Sequence, residues 1–390
     1  MMKYTRVCCA GAIIVQCMFL RGAAQDTPIG FGAAVTGGSG SPVVVTSFNA
    51  FKSAVEKGGK IVQVNAVING GDGSVSVRSN TTIIGLNNSG ITRCNVRMRG
   101  VSNIIMKDVF IHDAKKGTCA DDESGGDLVT VENSSRLWFD HCEFANPEPN
   151  WSNSSGEKNC RDGMLDIRGS SSAITISYTY FHDHWKGLLI GSSSSDNPGS
   201  RTITMHHNYL RNMGSRLPSY RGGILHFFNN YMRDAKISGI NSREGACAKI
   251  EGNVFETSRN PISSLDYSKI GYWDVKDNIF TKCTFSGEFT QADVEKSTKT
   301  CSISYTYTVE PSSAVVASVL SSVGPSWKEA VAVRPFVSGR LPHKSATVSA
   351  MYTIRGEKIA SASRAMFRKA NGIYLSREND KTVVRINPVY

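Results

Sequence analysis

The 390-residue sequence lacks three features, and each absence narrows its interpretation. It has no Cys-x-x-Cys pair, which disfavours a zinc site. Its longest apolar stretch, Val7 to Leu20, is shorter than the ~20 residues that span a bilayer. We therefore expect no membrane span. It also has no Asp or Glu between Asn197 and Arg233, so positive charge accumulates there without a local partner.

This acid-free segment contains the stretch SRLPSYRGGILHFFNN, from Ser215 to Asn230. Arg216 and Arg221 stand five residues apart with Pro218 between them, which favours a rigid bend before an apolar strand. Guanidinium groups bind carboxylates bidentately. The segment therefore predicts an anionic ligand, although pairing with acids distant in sequence is the alternative. Its five arginines are Arg201, Arg211, Arg216, Arg221 and Arg233.

The formal net charge of +11 is unevenly distributed along the chain. Removing the three positive charges of residues 1–24 and the net +7 of residues 340–390 leaves +1 for residues 25–339. A nearly neutral main domain argues against a general nucleic-acid binder. Nothing in the sequence indicates an oligomer, so we expect a monomer.

The amino terminus is typical of a secretory signal peptide. Lys3 and Arg6 precede the apolar stretch, and the small residues Ala23 and Ala24 follow it, which predicts cleavage after Ala24. We expect the mature protein to be soluble, secreted and extracellular. Export would leave seven of the ten cysteines, and proximity in sequence predicts the pairs Cys142 with Cys160 and Cys283 with Cys301.

Residues 47–57 have the apolar spacing of one short helix, capped by Ser47 or Asn49. Short strand-like runs then recur, each ending in a polar residue before an apolar pair. The aligned polar positions have spacings of 34, 37, 29, 22, 23 and 25 residues: Asp108, Cys142, Thr179, Asn208, Asn230, Asn253 and Asn278. One strand per repeat predicts a stacked solenoid. We interpret it as an all-β, right-handed parallel β-helix, with the asparagines forming a ladder of side-chain amides.

The lengthened coils contain insertions, Cys119 to Gly126 and Asn146 to Cys160, where sites are commonly built. We expect a β-helix domain over 25–325, which a short helix closes, and a linker over 326–345. The tail, 346–390, has the strand and turn pattern of a small C-terminal β module.

The candidate chemistry lies in the lengthened coils. Asp162 and Asp166 occur in DGMLDI, and residues four apart in a strand share a face. Asp127, in GGDLVTV, belongs to the preceding coil and is expected about one strand spacing, ~4.8 Å, from its neighbour. Three carboxylates are suited to Ca²⁺, although any one of them could be an ordinary turn aspartate.

The next coil holds HDHWKGLLIG, in which Lys186 precedes an apolar strand. A carboxylate bound among Lys186, Arg216 and Arg221 would meet three cations and the metal. His182 and His184 have aromatic and apolar neighbours, so we expect structural hydrogen bonds of them rather than catalysis.

In this order, LWFDHCEF, DGMLDI, FHDHWKGLLIG and RLPSYRGGILHFFNNY resemble the pectate lyases of polysaccharide lyase family 1, over about 29–324. The resemblance implies a parallel β-helix that cleaves de-esterified polygalacturonate (pectate) by β-elimination with Ca²⁺. It implies that Arg216 is the base and that Lys186 and Arg221 hold the substrate carboxylate. Asp127, Asp162 and Asp166 would hold Ca²⁺. Some members have a further calcium aspartate where this chain has Gly125.

The proposed chemistry agrees with these residue types. The C5 proton of the uronate is α to a carboxylate, so its removal adds a second negative charge that cations must neutralise. An arginine base is unusual because a guanidinium keeps its proton to a pH above ~12. Neighbouring positive charges favour loss of that proton.

Three other functions compete with this one. A pectin lyase would act on methyl-esterified substrate, but the aspartates and Arg221 argue against it. A polygalacturonase needs paired carboxylates, and its Asn-Thr-Asp and Gly-His-Gly motifs are absent. A non-catalytic β-helix that binds acidic polysaccharide would use the same cations, so only turnover separates the two.

The tail offers a second resemblance through IRGEKIA, GIYLSREN and KTVVRI. It is similar to the C-terminal sorting domain of bacterial type IX secretion substrates, which implies a role with the secretion machinery. The alternative is a small accessory β module or a tail that contacts carbohydrate.

Overall fold

The computed structural model describes residues 27–117, 125–146, 159–286 and 289–328, and the backbone of strands within 351–387. Contacts divide the chain into two units, Met1–Val333 and Arg334–Tyr390. The predicted signal peptide, Cys119 and most of the predicted linker lie outside the described residues.

The first unit is built almost entirely from short strands. In chain order they are β1 (Ser39–Val45), β2 (Lys60–Val64), β3 (Val67–Ser76), β4 (Thr81–Gly85), β5 (Gly90–Arg99), β6 (Ser102–Lys107), β7 (Phe110–His112), β8 (Val129–Glu132), β9 (Ser135–Asp140), β10 (Glu143–Ala145), β11 (Leu165–Arg168), β12 (Ser172–Ser177), β13 (Tyr180–Lys186), β14 (Leu189–Ile190), β15 (Thr202–His206), β16 (Tyr209–Ser215), β17 (Ser219–Arg221), β18 (Ile224–Phe228), β19 (Tyr231–Ala235), β20 (Ile240–Arg243), β21 (Cys247–Glu251), β22 (Val254–Glu256), β23 (Ile262–Ser263), β24 (Tyr272–Lys276) and β25 (Ile279–Thr281).

These strands stack in parallel, and successive coils contribute to three faces. Sheet A runs β1-β2-β4-β6-β9-β12-β15-β18-β21-β24. Sheet B runs β7-β10-β13-β16-β19-β22-β25, and sheet C runs β8-β11-β14-β17-β20-β23. The long strand β5 joins them, because its start pairs with β7 and its end pairs with β8. The predicted right-handed parallel β-helix is confirmed.

Short helices accompany the strands, among them α1 (Phe48–Lys57), α2 (Gln291–Val294) and α3 (Ser312–Ser322). The predicted cap of α1 is Ser47, whose hydroxyl accepts a hydrogen bond from the backbone of Ala50 at 3.4 Å. Helix α3 packs on a stack of tyrosines on sheet B, Tyr180, Tyr209 and Tyr231. Within the described residues no helix has the length and apolar character to cross a membrane.

The asparagine ladder is present at the corner between sheets A and B. The side-chain nitrogens of Asn208, Asn230 and Asn253 each donate to the amide oxygen of the next asparagine, at 2.9, 3.1 and 2.9 Å, ending at Asn278. All but Asn278 are buried. Each coil therefore hydrogen-bonds to the next through a side chain as well as through its backbone.

One position in the predicted alignment of the repeats, Asp108, was wrong by one residue. Because Phe110 pairs with Glu143, the position opposite Cys142 is Val109 and not Asp108. Asp108 instead lies at the next outward turn, where its carboxylate accepts a hydrogen bond from the backbone of Ser326 at 2.7 Å.

The predicted cysteine pairs were also wrong. Cys142 and Cys283 are free thiols, and Cys301 is bonded to Cys247. Cys160 is disulfide-bonded, but not to Cys142. Proximity in sequence failed because Cys142 occupies a buried ladder position, whereas the segment after α2 returns across sheet A and brings Cys301 to β21.

The second unit contains a small antiparallel sheet, as predicted for the tail. Its order is β27-β26-β28-β29, with β26 (Met351–Tyr352), β27 (Lys358–Ala360), β28 (Gly372–Glu378) and β29 (Lys381–Asn387).

Candidate active site

The six predicted site residues lie along sheet C and its corner with sheet B. Asp127 precedes β8, Asp166 lies in β11 and Arg221 ends β17. Lys186 ends β13 on sheet B, and Arg216 occupies the turn between β16 and β17. The stacking of coils thus places residues from four different coils on one side of the β-helix.

Asp127 and Asp166 are buried carboxylates in adjacent coils, Asp127 just before β8 and Asp166 within β11. Asp127 Oδ1 accepts a hydrogen bond from the Gly163 backbone at 3.0 Å, and its Oδ2 accepts one from Thr130 Oγ1 at 3.0 Å. Asp166 Oδ2 accepts one from Arg168 at 2.9 Å, but its buried Oδ1 has no partner in the described structure. An unpartnered buried carboxylate oxygen is costly and marks a position suited to a ligand.

The two carboxylates affect each other's protonation. Burial, and then repulsion from Asp127, raise the pKa of Asp166 to about 7. Burial likewise raises the pKa of Asp127, against the opposing hydrogen bond from Gly163. Like charges that are buried side by side favour protonation unless a cation neutralises them.

Gly163 makes this arrangement possible. A Cβ at this position would lie 1.9 Å from Asp166 Oδ1, so only glycine leaves room for that carboxylate. The same residue donates its N–H to Asp127. The glycine of DGMLDI therefore determines the position of both carboxylates.

Asp162 is oriented differently from the expectation. It precedes β11, outside the strand, so the rule of alternating faces does not relate it to Asp166. Its Oδ1 lies 2.8 Å from Lys186 Nζ, which also donates to Asn159 Oδ1 at 3.0 Å. Asp162, a predicted calcium ligand, thus forms an ion pair with Lys186, a predicted substrate-binding residue.

Arg216 projects from a tight turn and has a left-handed backbone conformation. Its φ is 64°, and the next peptide bond, Leu217–Pro218, is cis. Its Nη1 lies 3.9 Å from Asp162 Oδ1, and its side chain is 28 % exposed. Gly187 permits the close approach of this turn, because a Cβ there would lie 2.4 Å from the Arg216 carbonyl oxygen.

Arg221 is buried at the end of β17, where its Nη1 donates to the carbonyl of Gly191. Burial, and then the charges of Arg243 and Arg216, lower the pKa of Arg221 to about 10. Among the described residues it forms no ion pair with a carboxylate, and its buried Nε has no hydrogen-bond partner. This guanidinium is therefore available to an anion.

Sequence reasoning missed two arginines of sheet C. Arg168 Nη2 donates to Asp127 Oδ2 at 3.0 Å and to Asp166 Oδ2 at 2.9 Å. Arg243 pairs in register with Arg221 on the next strand. The signal for Arg168 was present in the sequence, since residues two apart in a strand share a face and Arg168 follows Asp166 by two.

Other arginines of the acid-free segment have internal partners. Arg201 Nη2 binds Asp196 Oδ1 at 2.7 Å, and Arg233 Nε lies 3.3 Å from Asp234 Oδ2. These acids stand immediately outside the segment. Their pairing is therefore local, and not with acids distant in sequence, whereas Arg221 forms no ion pair with a carboxylate among the described residues.

Similarity to known proteins agrees with this geometry. The family model described as pectate lyase matches residues 2–326. Pectate lyase B of Colletotrichum gloeosporioides is 34% identical over 306 residues, covering 76% of this chain and 85% of that protein. The chain belongs to the pectate lyase family.

A pectate trisaccharide-lyase of Bacillus licheniformis is 38% identical over 204 residues. That match covers 52% of this chain and 56% of the Bacillus protein, so the alignment spans about half of each.

Solved structures of pectate lyases share the fold. Pectate lyase II of Xanthomonas campestris has a TM-score of 0.65 and 30% identity, covering 76% of this chain and 98% of its own. Pectate lyase C of Erwinia chrysanthemi, solved at pH 9.5 with 30 mM Ca²⁺, has a TM-score of 0.64 and 27% identity, covering 78% and 97%.

The residues of this pectate lyase family member are chemically suited to calcium, which prefers carboxylate oxygens. The unpartnered Asp166 Oδ1 is the observation in favour. As the side chains stand, however, no three His, Cys, Asp or Glu groups of the described residues converge at metal-binding distances. Arg168 and Lys186 occupy carboxylate oxygens that a cation would need.

The two histidines make structural hydrogen bonds, His184 to the preceding coil and His182 to its neighbour Asp183. His184 Nε2 lies 2.8 Å from the Asp162 carbonyl oxygen, and burial lowers the pKa of His184 to about 4. A neutral imidazole therefore donates to this carbonyl and holds the Asp162 backbone. His182 Nδ1 binds Asp183 Oδ2 at 2.8 Å, away from the candidate active site.

Proposed function

We propose that the protein is a secreted, calcium-dependent pectate lyase that cleaves de-esterified polygalacturonate to 4,5-unsaturated oligogalacturonides. The observation that supports this most strongly is the position of Arg216. Its guanidinium lies beside Lys186, at the edge of the set of three aspartates. The buried Arg221 lacks an anionic partner among the described residues. Such a site can bind a uronate and remove its α proton.

In the proposed reaction, Lys186 and Arg221 bind the carboxylate of the uronate next to the scissile bond. They stabilise the second negative charge that develops as the C5 proton leaves. Neutral Arg216 takes that proton. The electron pair of the broken C–H bond forms the C4–C5 double bond, and the C4–O bond breaks. The departing oxygen takes a proton from solvent, and Arg216 returns its proton to solvent, so one bond of the polymer is cleaved with no net consumption of water.

Asp127, Asp162 and Asp166 are the residues that would hold calcium. When bound, calcium supplies positive charge that neutralises the substrate carboxylate. The solved relative with Ca²⁺ supports this choice of ion. Gly125 provides no carboxylate, so these three aspartates are the proposed protein ligands.

Positive charge is crowded around the proposed substrate-binding arginine. Burial, and then the charges of Arg243 and Arg216, lower the pKa of Arg221 to about 10. A bound uronate carboxylate would relieve this repulsion, which supports an anionic substrate at the site.

The test is the ultraviolet absorbance of the unsaturated product during incubation with polygalacturonate at alkaline pH. Absorbance should grow with Ca²⁺ and stop reversibly with EGTA. Faster growth on methyl-esterified pectin would instead favour a pectin lyase. A flat trace with binding retained would favour the non-catalytic β-helix and contradict the lyase.

The signal-like amino terminus supports export, and the tail is proposed to interact with the secretion machinery rather than with pectate. Detection of the mature protein outside the cell, and its loss from the medium on deletion of the tail, would test both parts.

A further inference from the structure

Arg168 occupies the oxygens that the proposed calcium site requires. One nitrogen, Nη2, lies 3.0 Å from Asp127 Oδ2 and 2.9 Å from Asp166 Oδ2. The side chains of Asp127 and Asp166 are 9% and 0% exposed, whereas that of Arg168 is 31% exposed. The guanidinium therefore acts as an internal counter-ion at the open side of a buried carboxylate pair.

Only part of this guanidinium is engaged. Arg168 Nε is buried and has no hydrogen-bond partner in the described structure. A planar guanidinium binds a carboxylate best through two parallel N–H groups, which a single shared nitrogen does not provide. The contact with the two aspartates thus leaves donors for a better-fitting anion.

Space for a different position lies beside Arg168. An open pocket of about 510 Å³ adjoins it, lined by Glu132, Arg168, Gly169, Ser192, Ser193, Ser195 and Asp196. Asp196 fixes the serine loop by accepting hydrogen bonds from the backbones of Ser192 and Gly169, at 2.8 and 3.1 Å. Asp196 thus holds the far wall in place, and the pocket offers space for a second position of the Arg168 side chain.

We propose that Arg168 is a tethered counter-ion that calcium displaces, and that the released guanidinium then binds a carboxylate of the polyuronate. This inference rests on the proposed function. The arginine neutralises Asp127 and Asp166 before the metal arrives, and calcium takes over that role. Metal and substrate binding are then coupled through one side chain, and the coupling is reciprocal.

A permanent salt bridge gives the opposite expectation. If Arg168 stayed on both aspartates while calcium was bound, it would orient the ligands, and its removal would weaken calcium binding. If calcium displaces it, its removal eliminates a competitor and strengthens calcium binding. The direction in which calcium affinity changes when Arg168 is removed therefore distinguishes a displaced arginine from a permanent salt bridge.

The first experiment titrates Arg168→Gln with Ca²⁺ by calorimetry, without substrate. We expect an affinity increase on the order of 5-fold or more over the unsubstituted protein. Arg243→Gln is the control, because it removes the same charge about three strand spacings, ~14 Å, from Arg168 along sheet C. Its calcium affinity should change far less. An unchanged or weaker affinity in Arg168→Gln would overturn the proposal.

The second experiment measures coupling with trigalacturonate, using Arg216→Lys to prevent turnover. Ca²⁺ should raise the affinity for trigalacturonate, and adding Arg168→Gln should shrink that increase toward none. An equal increase in both proteins contradicts the proposal. Arg168→Lys keeps the charge without the planar guanidinium, so its calcium-induced increase in trigalacturonate affinity should be intermediate. It also provides a folded comparison if the Arg168→Gln variant is unstable. Neither experiment needs turnover, so failure of the lyase proposal would be seen separately.

Discussion

Lys186 Nζ lies 2.8 Å from Asp162 Oδ1, so a predicted substrate-binding cation is paired with a predicted metal ligand. Both side chains are mostly buried, and such a pair interacts more strongly than an exposed one. Together with Arg168 on the other two aspartates, it means that internal cations hold the carboxylates of the site. Binding of the proposed metal and substrate would therefore require exchange of these ion pairs.

Replacing Arg216 by lysine should remove the proposed base while keeping a positive charge. We expect kcat to fall by on the order of 10²- to 10⁴-fold, as for loss of a general base. Product absorbance with saturating polygalacturonate measures it, and circular dichroism checks the fold. Near-normal kcat would show that another group takes the proton.

Gly163→Ala should disturb the carboxylate pair, because its Cβ would lie 1.9 Å from Asp166 Oδ1. We expect calcium affinity to fall by on the order of 10-fold, since the ligands lose their orientation. Calorimetric titration with Ca²⁺ measures the change. Gly199→Ala is the matched control, because a Cβ there meets no atom within 4 Å. Equal affinities in the two variants would contradict the role of Gly163.

Asn230→Ala should weaken the stacking of coils. It removes the acceptor of the buried Asn208 backbone and side-chain N–H groups and one donor to Asn253 Oδ1, which costs roughly 1–3 kcal/mol of unfolding free energy. Denaturant unfolding measures the loss. The exposed Asn49→Ala in α1 should change the unfolding free energy by less than about 0.5 kcal/mol.

His182→Gln should change how stability depends on pH. Burial opposes protonation of His182, but contacts with Asp183 and Glu143 outweigh it and raise the pKa of His182 above its usual ~6.5. Because folding raises this pKa, charged His182 stabilises the protein fully below ~6.5, and that contribution is lost as pH rises through the folded value. The variant should therefore be most destabilised in mild acid. A difference in unfolding free energy that is constant from mild acid to alkaline pH would contradict this.

Deleting the tail from Ala346 should leave the purified β-helix unit active on polygalacturonate. The basis is that residues 334–390 form a unit of their own, while every proposed site residue lies in the first. Turnover per folded molecule should match that of the mature chain. A folded but inactive product would mean that the tail contributes to catalysis.

The parts of the fold that repeat were predictable from sequence. The four asparagines recur at 22 to 25 residues, and identical side chains at a nearly fixed spacing are sufficient to predict the ladder. Asp108 was misplaced because the first coils are irregular in length. Cysteine pairing was wrong because it depends on where the closing segment returns, which no local pattern encodes.

The sequence predicted which residues lie in the candidate site, but not which side chains contact one another there. Its residue types follow from motif and chemistry, whereas the partners of each side chain depend on the coil beside it. Arg168 was not predicted, although the rule that alternate residues of a strand share a face applies to it as well as to the aspartates. Asp162 was assigned to a strand that begins three residues later, at Leu165, so its orientation toward Lys186 was not foreseen.

The asparagine ladder lies at the corner between sheets A and B, whereas the candidate site occupies the corner between sheets B and C together with sheet C. Changes in coil length therefore occur at a different corner from the hydrogen bonds that keep the stacked coils in register. A turn on the opposite corner can gain residues, as in the 33-residue coil from Val109 to Cys142 and the 37-residue coil from Cys142 to Thr179. Hydrogen bonds at the ladder corner still connect these coils, from Cys142 N to Thr179 Oγ1 at 3.4 Å and from Thr179 N to Asn208 Oδ1 at 2.9 Å. Such a scaffold can acquire new polysaccharide specificities by insertion, without redesign of its interior.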